Sequence, residues 1–291
     1  MAEHKAFDAK TLGPSLKEQV SKANELYFDV MATKYDHDPR QKMGYFHPNT
    51  RERYRRFIRI NLGVIKDGGV LNLGCGSGFA MDVEAEFGLD STGIDISAGM
   101  LEEARRKGVK ARLIKADAYK IPLPDASVGL VSCFVFLHHI YDHEALFKEI
   151  ARVLKPGGLL YTDYDPNFYC VDRIKKNWLL GKLWERWENA SEDVRQTEEH
   201  FPLEVFHLAD YHDKMVGGIK ADLIERALKG TGFEAYKVIA HSDGVDLRQP
   251  HRGRLPRKVL EWALLCAGVT EYAHRAKNIS VVARKSGALS Y

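Results

Sequence analysis

One stretch limits what this chain can fold into more than any other: Val70-Leu71-Asn72-Leu73-Gly74-Cys75-Gly76-Ser77-Gly78. The apolar run at 69–73 is too short for a helix and is bounded by glycine, so it reads as a buried parallel strand. It runs directly into Gly-x-Gly-x-Gly, after which residues 79–87 take up helical spacing. Strand, glycine turn and helix in that order make a ligand site at the carboxyl edge of a sheet. There, backbone N–H groups approach a nucleotide-like ligand with no Cβ in the way.

Two runs further along the chain narrow the ligand. Ser91-Thr92-Gly93-Ile94-Asp95 is a second strand-like run, ending in an acid suited to both hydroxyls of a ribose. Leu113-Ile114-Lys115-Ala116-Asp117-Ala118 ends in another acid, suited to an adenine amino group. Charge-assisted hydrogen bonds of this kind contribute roughly 1.5–3 kcal/mol each. A dinucleotide site also carries an acid about 20 residues past its glycines, so Asp95 alone leaves both ligands open. The missing extra residue of G-x-G-x-x-G, and Val153-Leu154-Lys155-Pro156-Gly157-Gly158 further on, favour the other reading.

Taken together, the blocks LNLGCGSG, TGIDIS, ADA, FLHHI and RVLKPGG resemble the class I S-adenosylmethionine-dependent methyltransferases, most closely the small-molecule branch that includes quinone-biosynthesis enzymes. The resemblance covers residues 27–164 well and returns more weakly at 218–241 and 279–284. It implies an α/β fold, a doubly wound Rossmann-like sheet of seven strands in the order 3-2-1-4-5-7-6 with helical cap insertions. Alternating strand and helix patterns agree, with strands near 69–74, 91–95, 111–115, 128–133 and 158–163 and a helix at 142–154. Two further strands near 233–240 and 278–284 come from the resemblance. With no repeat or clean linker, residues 1–291 read as one methyltransferase domain. Its parts are a helical lid at 1–60, a cofactor-binding core at 61–166, a cap insertion at 167–215, the end of the sheet at 216–241 and 278–284, and a second insertion at 242–277.

The resemblance implies S-adenosyl-L-methionine as cofactor. Gly74, Cys75, Gly76 and Gly78 would cradle its methionine part, Asp95 its ribose, and Asp117 with Ala118 its adenine. Ile96 and Met100 would pack on the adenine ring, and Phe134 and His138 would flank the methionine end. Asn72 stands where the family usually has an acid for the methionine amino group, a change worth on the order of 1–2 kcal/mol of affinity. Gly129 likewise replaces an acid common in the fourth strand.

Methyl transfer from a sulfonium needs a nucleophile held about 3–3.5 Å away in line with the breaking bond, and positioning of that kind supplies roughly 7–11 kcal/mol. Candidate catalytic groups are His138 and His139 after the fourth strand, Asp163 at the end of the fifth, and Tyr35 in a Phe28-Asp29-x-x-Ala32-x-x-Tyr35-Asp36 segment that resembles the family's opening helix. Each also has a structural reading: loop holding for the histidines, turn capping for Asp163 and packing for Tyr35. Tyr164, Asp165, Trp178, Tyr211 and His212 are candidate substrate contacts, with Asp210 beside the last two. His138, His139, Asp142 and His143 match no common ligand spacing, so no metal is expected.

Composition closes off several classes. In 291 residues, 45% hydrophobic, a sizeable core is available, and no apolar run reaches the ~20 residues of a membrane span. A net charge of +3 gives no case for nucleic acid. The basic run at 51–56 reads as the wet face of a helix whose apolar side is Phe57, Ile60 and Val64. The start lacks a secretion signal and the four cysteines lack paired spacing, so a reducing cytoplasm is expected. The tryptophan-bearing helical pattern at 167–215 suits a substrate cap, a helix packed on the core or a membrane-surface helix, and that at 242–277 a closure of the substrate pocket, a dimer face or a contact with lipid. The expected function is transfer of a methyl group to a small aromatic or amphipathic acceptor by O-, N- or C-methylation. A membrane-borne lipid or quinone acceptor is one alternative, and a catalytically silent cofactor-binding regulator another.

Overall fold

The computed structural model describes residues 9–36, 48–182, 202–241 and 276–287. Seven strands form one sheet: β1 (Val70–Leu73), β2 (Ser91–Asp95), β3 (Arg112–Lys115), β4 (Val128–Phe134), β5 (Leu154–Pro166), β6 (Phe233–His241) and β7 (Asn278–Lys285). Their order is β3-β2-β1-β4-β5-β7-β6, with β7 antiparallel to both β5 and β6. This is the expected order. Register pairs Leu73 with Ile94 and with Cys133, and Phe134 with Asp163, so the carboxyl ends of β1, β2, β4 and β5 share one edge. The order reverses beside β1, and in a doubly wound sheet a ligand crevice opens there.

Side chains alternate between the two faces because the strand period is two. On one face Leu71, Val131 and Leu160 pack against Leu146, Phe147 and Ile150 of α5 (His143–Val153) and Ile224 and Leu228 of α8 (Ala221–Lys229). On the other, Val70, Leu130 and Leu159 meet Tyr54, Ile58 and Ile65 of α2 (Pro48–Lys66), with Val83 of α3 (Phe79–Ala85). The α5 face is the one its spacing predicts. Asp142 caps its start by accepting from the Ala145 N–H at 3.0 Å. The strand after it begins at Leu154, so Lys155-Pro156-Gly157-Gly158 lies inside β5 rather than before it.

One expectation is corrected in α2, where Ile60 faces outward. Residues 16–35 form one continuous 20-residue helix, α1 (Leu16–Tyr35). A capping box starts it, Ser15 accepting from the Glu18 N–H and Glu18 from the Ser15 N–H. In α2 the covered side is Tyr54, Ile58 and Ile65, while Ile60 is 71% exposed. Its arginines do more than meet water: Arg51 pairs with Asp82, Arg53 with Asp163 and Arg55 with Glu86.

The remaining helices are α4 (Ala98–Arg106), α6 (Phe168–Lys176) and α7 (Leu203–Ala209). Val20 and Ala23 of α1 pack on Val205, Leu208 and Ala209 of α7. Asp29 ties α1 to the start of α4, accepting from the Ser97 hydroxyl at 2.6 Å and the Gly99 N–H at 3.0 Å. Asp36 just after α1 accepts from the Ser77 hydroxyl and pairs with Lys107 at 2.7 Å. Residues 183–201 and 242–275, with Trp184, Trp187 and Trp262, lie outside the described residues.

Candidate functional site

The carboxyl edge of β1, β2 and β4 opens into a cleft of about 940 Å³, its mouth included, roofed by α1. At its floor the chain leaves β1 through Gly74 (φ +60°), and a Cβ there would run into the Phe136 ring. Gly78 (φ +99°) starts α3, and a Cβ would stand 2.5 Å from Val109. Only glycine adopts that backbone and leaves that room.

Asp95 ends β2 nearly buried, one oxygen accepting from the Gly76 N–H and the other from the Ser97 N–H, each at 2.9 Å. Burial pushes its carboxyl up to about 6, held back by those two N–H groups. Each oxygen keeps a second lone pair, which fits a vicinal diol. Asp117 sits across the cleft, accepting from the Tyr119 N–H at 2.8 Å and the Ser21 hydroxyl at 3.3 Å. Ile96, Met100 and Ala118 line the same cleft and give it apolar surface for a base ring. The floor glycines, the paired carboxylates and this apolar surface together fit a nucleoside bearing an amino-acid tail.

At the other end the walls are Phe28, Phe79, Phe134 and Phe136, with Tyr35 and His139. Phe28 meets the His139 ring edge-on at 5.2 Å. The His139 Nδ1 lies 2.6 Å from the Ala209 carbonyl, which assigns the proton to Nδ1 and the acceptor lone pair to Nε2. Burial and the neighbouring His138 hold its pKa well below the ordinary value, so the ring is neutral. Val135 adds strain to this wall: a β-branched residue at φ +52°, a conformation costing on the order of 1–3 kcal/mol.

Of the residues singled out in the sequence, Tyr35, Asn72, Gly74, Cys75, Gly76, Asp95, Ile96, Met100, Asp117, Ala118, Phe134 and His139 line this cleft. Gly78 shapes its floor from behind. His138 stands behind His139, rings 3.9 Å apart, with Nδ1 2.8 Å from Asp165 and Nε2 3.5 Å from Asp210. Burial lowers the His138 pKa and the two carboxylates more than offset it, for a net rise. Asp163 is fully buried in a separate cluster, held by Arg53 (2.8 Å), Tyr161 (2.9 Å), Ser280 (2.5 Å) and His241 (2.9 Å). Burial would raise its carboxyl, but His241 and Arg53 take it down to about 2. Tyr164 (φ +73°) packs beside that cluster, its ring 6.3 Å from His241. Tyr211 meets Tyr141 edge-on and His212 meets the His143 ring, both away from the cleft lining. Trp178 is 73% exposed, with the Lys182 ammonium over its ring.

Cys75 is no thiolate: burial and Asp95 push its thiol well up. Cys133 and Cys170 are buried free thiols.

Glu84 carries no mark in the sequence, yet it sits at the centre of a buried network. The Asn72 amide donates to it at 2.8 Å, as do the hydroxyls of Ser91 and Tyr54 at 2.5 Å. Ser132 donates to the Asn72 carbonyl at 2.7 Å. The carboxyl missing from β1 is thus present one layer behind it, supplied by α3, and burial raises its pKa. The signal that could have found it is an acid on a helix whose neighbours Phe79, Ala80, Met81 and Val83 are all buried. Ser21, Asn24 and Phe28 join the lining because α1 runs unbroken through all three, a continuity the polar residues ahead of Tyr27 conceal.

A cleft of this build on this sheet order defines a Rossmann-like, nucleoside-cofactor-binding protein of the methyltransferase type. Residues 71–162 match the family described as "Methyltransferase domain". The chain is 36% identical over 117 residues to a ubiquinone biosynthesis O-methyltransferase of Idiomarina loihiensis, covering 38% of this chain and 46% of that one. It is 33% identical over 159 residues to a demethylmenaquinone methyltransferase of Renibacterium salmoninarum, covering 54% and 65%. The match thus spans less than two thirds of either relative's length. Among solved structures, a SAM-dependent methyltransferase from Archaeoglobus fulgidus shares the fold, with TM-score 0.50 and 18% identity over 81% of this chain and 94% of that one. Residues 71–162 thus carry a methyltransferase domain, and the cleft they help form fits S-adenosylmethionine as its cofactor.

Proposed function

We propose that the protein moves a methyl group from S-adenosylmethionine to a small aromatic or amphipathic acceptor. The observation that carries this is the cleft that joins a nucleoside end bearing Asp95 and Asp117 to an aromatic chamber of Phe28, Phe134, Phe136 and His139. The cofactor supplies an electrophilic methyl whose leaving group departs neutral and needs no acid. In this reading Gly74 and Gly76 bring their backbone close to the methionine part, with Gly78 setting the turn. Asp95 accepts from the ribose, and Asp117 with Ala118 meets the adenine. Asn72, oriented by Glu84 and Ser132, faces the amino-acid tail. The aromatic walls exclude water and hold the acceptor in line, the positioning that contributes most to such a displacement. His139, neutral with its lone pair on Nε2, is placed to take a proton from an acceptor hydroxyl or amine. Tyr35 closes the far wall. Residues 1–60 act as a lid and 167–215 as a cap in the same domain.

The quinone-pathway names of the two relatives support an aromatic ring as acceptor. The test is incubation with methyl-labelled cofactor and a panel of catechols, demethylated quinols, amines and sterols, read by mass spectrometry. Product on a ring acceptor is expected. Tight cofactor binding with no product across the panel would leave a silent binding protein instead.

A membrane-borne acceptor is a second reading, favoured by Trp178 and Leu179, 73% and 58% exposed on the segment after α6. None of the described helices is long and apolar enough to cross a membrane. Flotation with vesicles containing a long-chain quinol distinguishes the two: a Trp178→Ala-sensitive shift supports the membrane-borne acceptor, and no flotation refutes it.

A further inference from the structure

Behind the aromatic chamber the chain gathers three ligand-bearing side chains from distant positions. One donor atom from each of His138, His139 and Asp210 lies within 4.8 Å of the other two. His138 and His139 come from the short 3-10 turn Leu137–His139, and Asp210 ends α7.

Each histidine has its Nδ1 occupied. The His138 Nδ1 is held by Asp165 at 2.8 Å and the His139 Nδ1 by the Ala209 carbonyl at 2.6 Å. Metal-bound imidazoles are held in this way, the outer hydrogen bond fixing ring and tautomer so that the other nitrogen carries the lone pair. The spacing agrees. Bonds of about 2.0–2.2 Å at a tetrahedral angle put neighbouring nitrogen and oxygen ligands about 3.3–3.5 Å apart. The His138 Nε2 stands 3.5 Å from the Asp210 oxygen, too long for a good hydrogen bond and right for two ligands of one ion.

The surroundings also call for positive charge. Asp165 is fully buried, and its second oxygen has no hydrogen-bond partner. His212, 6% exposed, has an Nε2 without a partner in the same neighbourhood, its ring 4.7 Å from that of His143. A buried carboxylate oxygen and a buried imidazole nitrogen left bare are costly unless something fills the space.

We propose that His138, His139 and Asp210 bind one divalent first-row transition ion, with Zn²⁺ the simplest case. Two imidazoles, His138 giving up its proton as the ion binds, and a carboxylate are a donor set such ions take, and three protein ligands leave one position open. Asp165 is a positioning residue that orients His138. Because His139 also lines the cleft, the open position lies at the acceptor end; with the ion bound, His139 is a ligand rather than the proton acceptor, and the ion would draw an acceptor oxygen and favour its deprotonated form. That consequence rests on methyl transfer as proposed above. The metal site itself does not.

The test uses the full, tag-free chain, stripped with chelator and titrated with Zn²⁺ and with Co²⁺. The expected result is one equivalent retained through gel filtration, visible absorption from tetrahedral Co²⁺, and a raised melting temperature. Asp210→Asn and His139→Gln should abolish retention. Asp165→Asn should lower affinity about 10- to 100-fold, as loss of an outer hydrogen bond to a ligand does. Circular dichroism of the metal-free variants confirms their fold. Wild-type protein that holds no stoichiometric metal, or Asp210→Asn that binds as tightly as wild type, would overturn the site. Metal retention without methyl transfer leaves the site standing and removes only the acceptor role.

Discussion

Replacing Asp95 by Asn tests the cofactor seat directly, because shape is kept and charge is removed. Each carboxylate oxygen already takes one backbone N–H, from Gly76 and from Ser97. The ribose would use the remaining lone pairs, two charge-assisted bonds at roughly 1.5–3 kcal/mol each. Asparagine keeps one acceptor oxygen and turns its amide toward a backbone N–H, so a net loss of about 2–3 kcal/mol is expected, or about 30- to 140-fold in Kd. Calorimetry with S-adenosylhomocysteine at pH 8 reads it. The pH dependence adds a second signature. Burial raises the folded carboxyl from 3.8 to about 6, so the unliganded protein binds this proton more tightly than the unfolded chain does. Stability of the unliganded wild type therefore rises from this group as pH falls through 6, and is lost as pH rises through it. Cofactor affinity moves the opposite way, falling below pH 6 as the acceptor charge disappears. Asp95→Asn should flatten both trends. A folded variant whose affinity stays within about threefold of wild type, a difference of only ~0.6 kcal/mol, would refute the ribose assignment.

The same geometry sets three other outcomes. Gly74→Ala, with φ +60° and the Phe136 ring in the way, should lose cofactor binding and lower the melting temperature; an unaffected variant would show that this turn is not tight. Asp163→Asn should cost about 3–5 kcal/mol in urea unfolding, because it leaves Arg53 and His241 beside a neutral amide. The folded Asp163 pKa of about 2 lies below the unfolded 3.8, so its contribution is present above pH 4 and is lost as pH falls through 2. The gap between wild type and variant should narrow by about 2.4 kcal/mol toward that acid end, and a constant gap would contradict the ion-pair account. Tyr54→Phe removes a donor from buried Glu84 and should cost about 1–3 kcal/mol by thermal unfolding, with less effect expected on Kd for the cofactor.

What the sequence disclosed and what it hid divide along a physical line. Short strand-like runs ending in glycine or acid are local signals, so β1, β2, Gly74, Asp95 and Asp117 stood out. The α5 stripe of Leu146, Phe147 and Ile150 did too. Pairings across long separations leave no periodicity. Arg53 reaches Asp163 over 110 residues and His139 reaches Ala209 over 70, and nothing in either neighbourhood announces the other. Ligand spacing along the chain therefore gave no hint of His138, His139 and Asp210 as a group. Hydrophobicity alone points Ile60 inward, while α2 turns its Tyr54 to the sheet because Glu84 needs that hydroxyl. Glu84 itself is hidden because an acid on a short helix reads as a surface residue.

The union of α1 with α7 has a consequence for traffic through the protein. One slab carries Ser21 against Asp117 in the nucleoside compartment and Phe28 with Asp210 beside the acceptor compartment, so the two chambers share a single door leaf. Were it to swing as one piece, admitting one guest would loosen the ceiling above the other. Spent cofactor and finished product are then expected to leave in a coupled exit, paced by the carboxylate latches at Asp29 and Asp36.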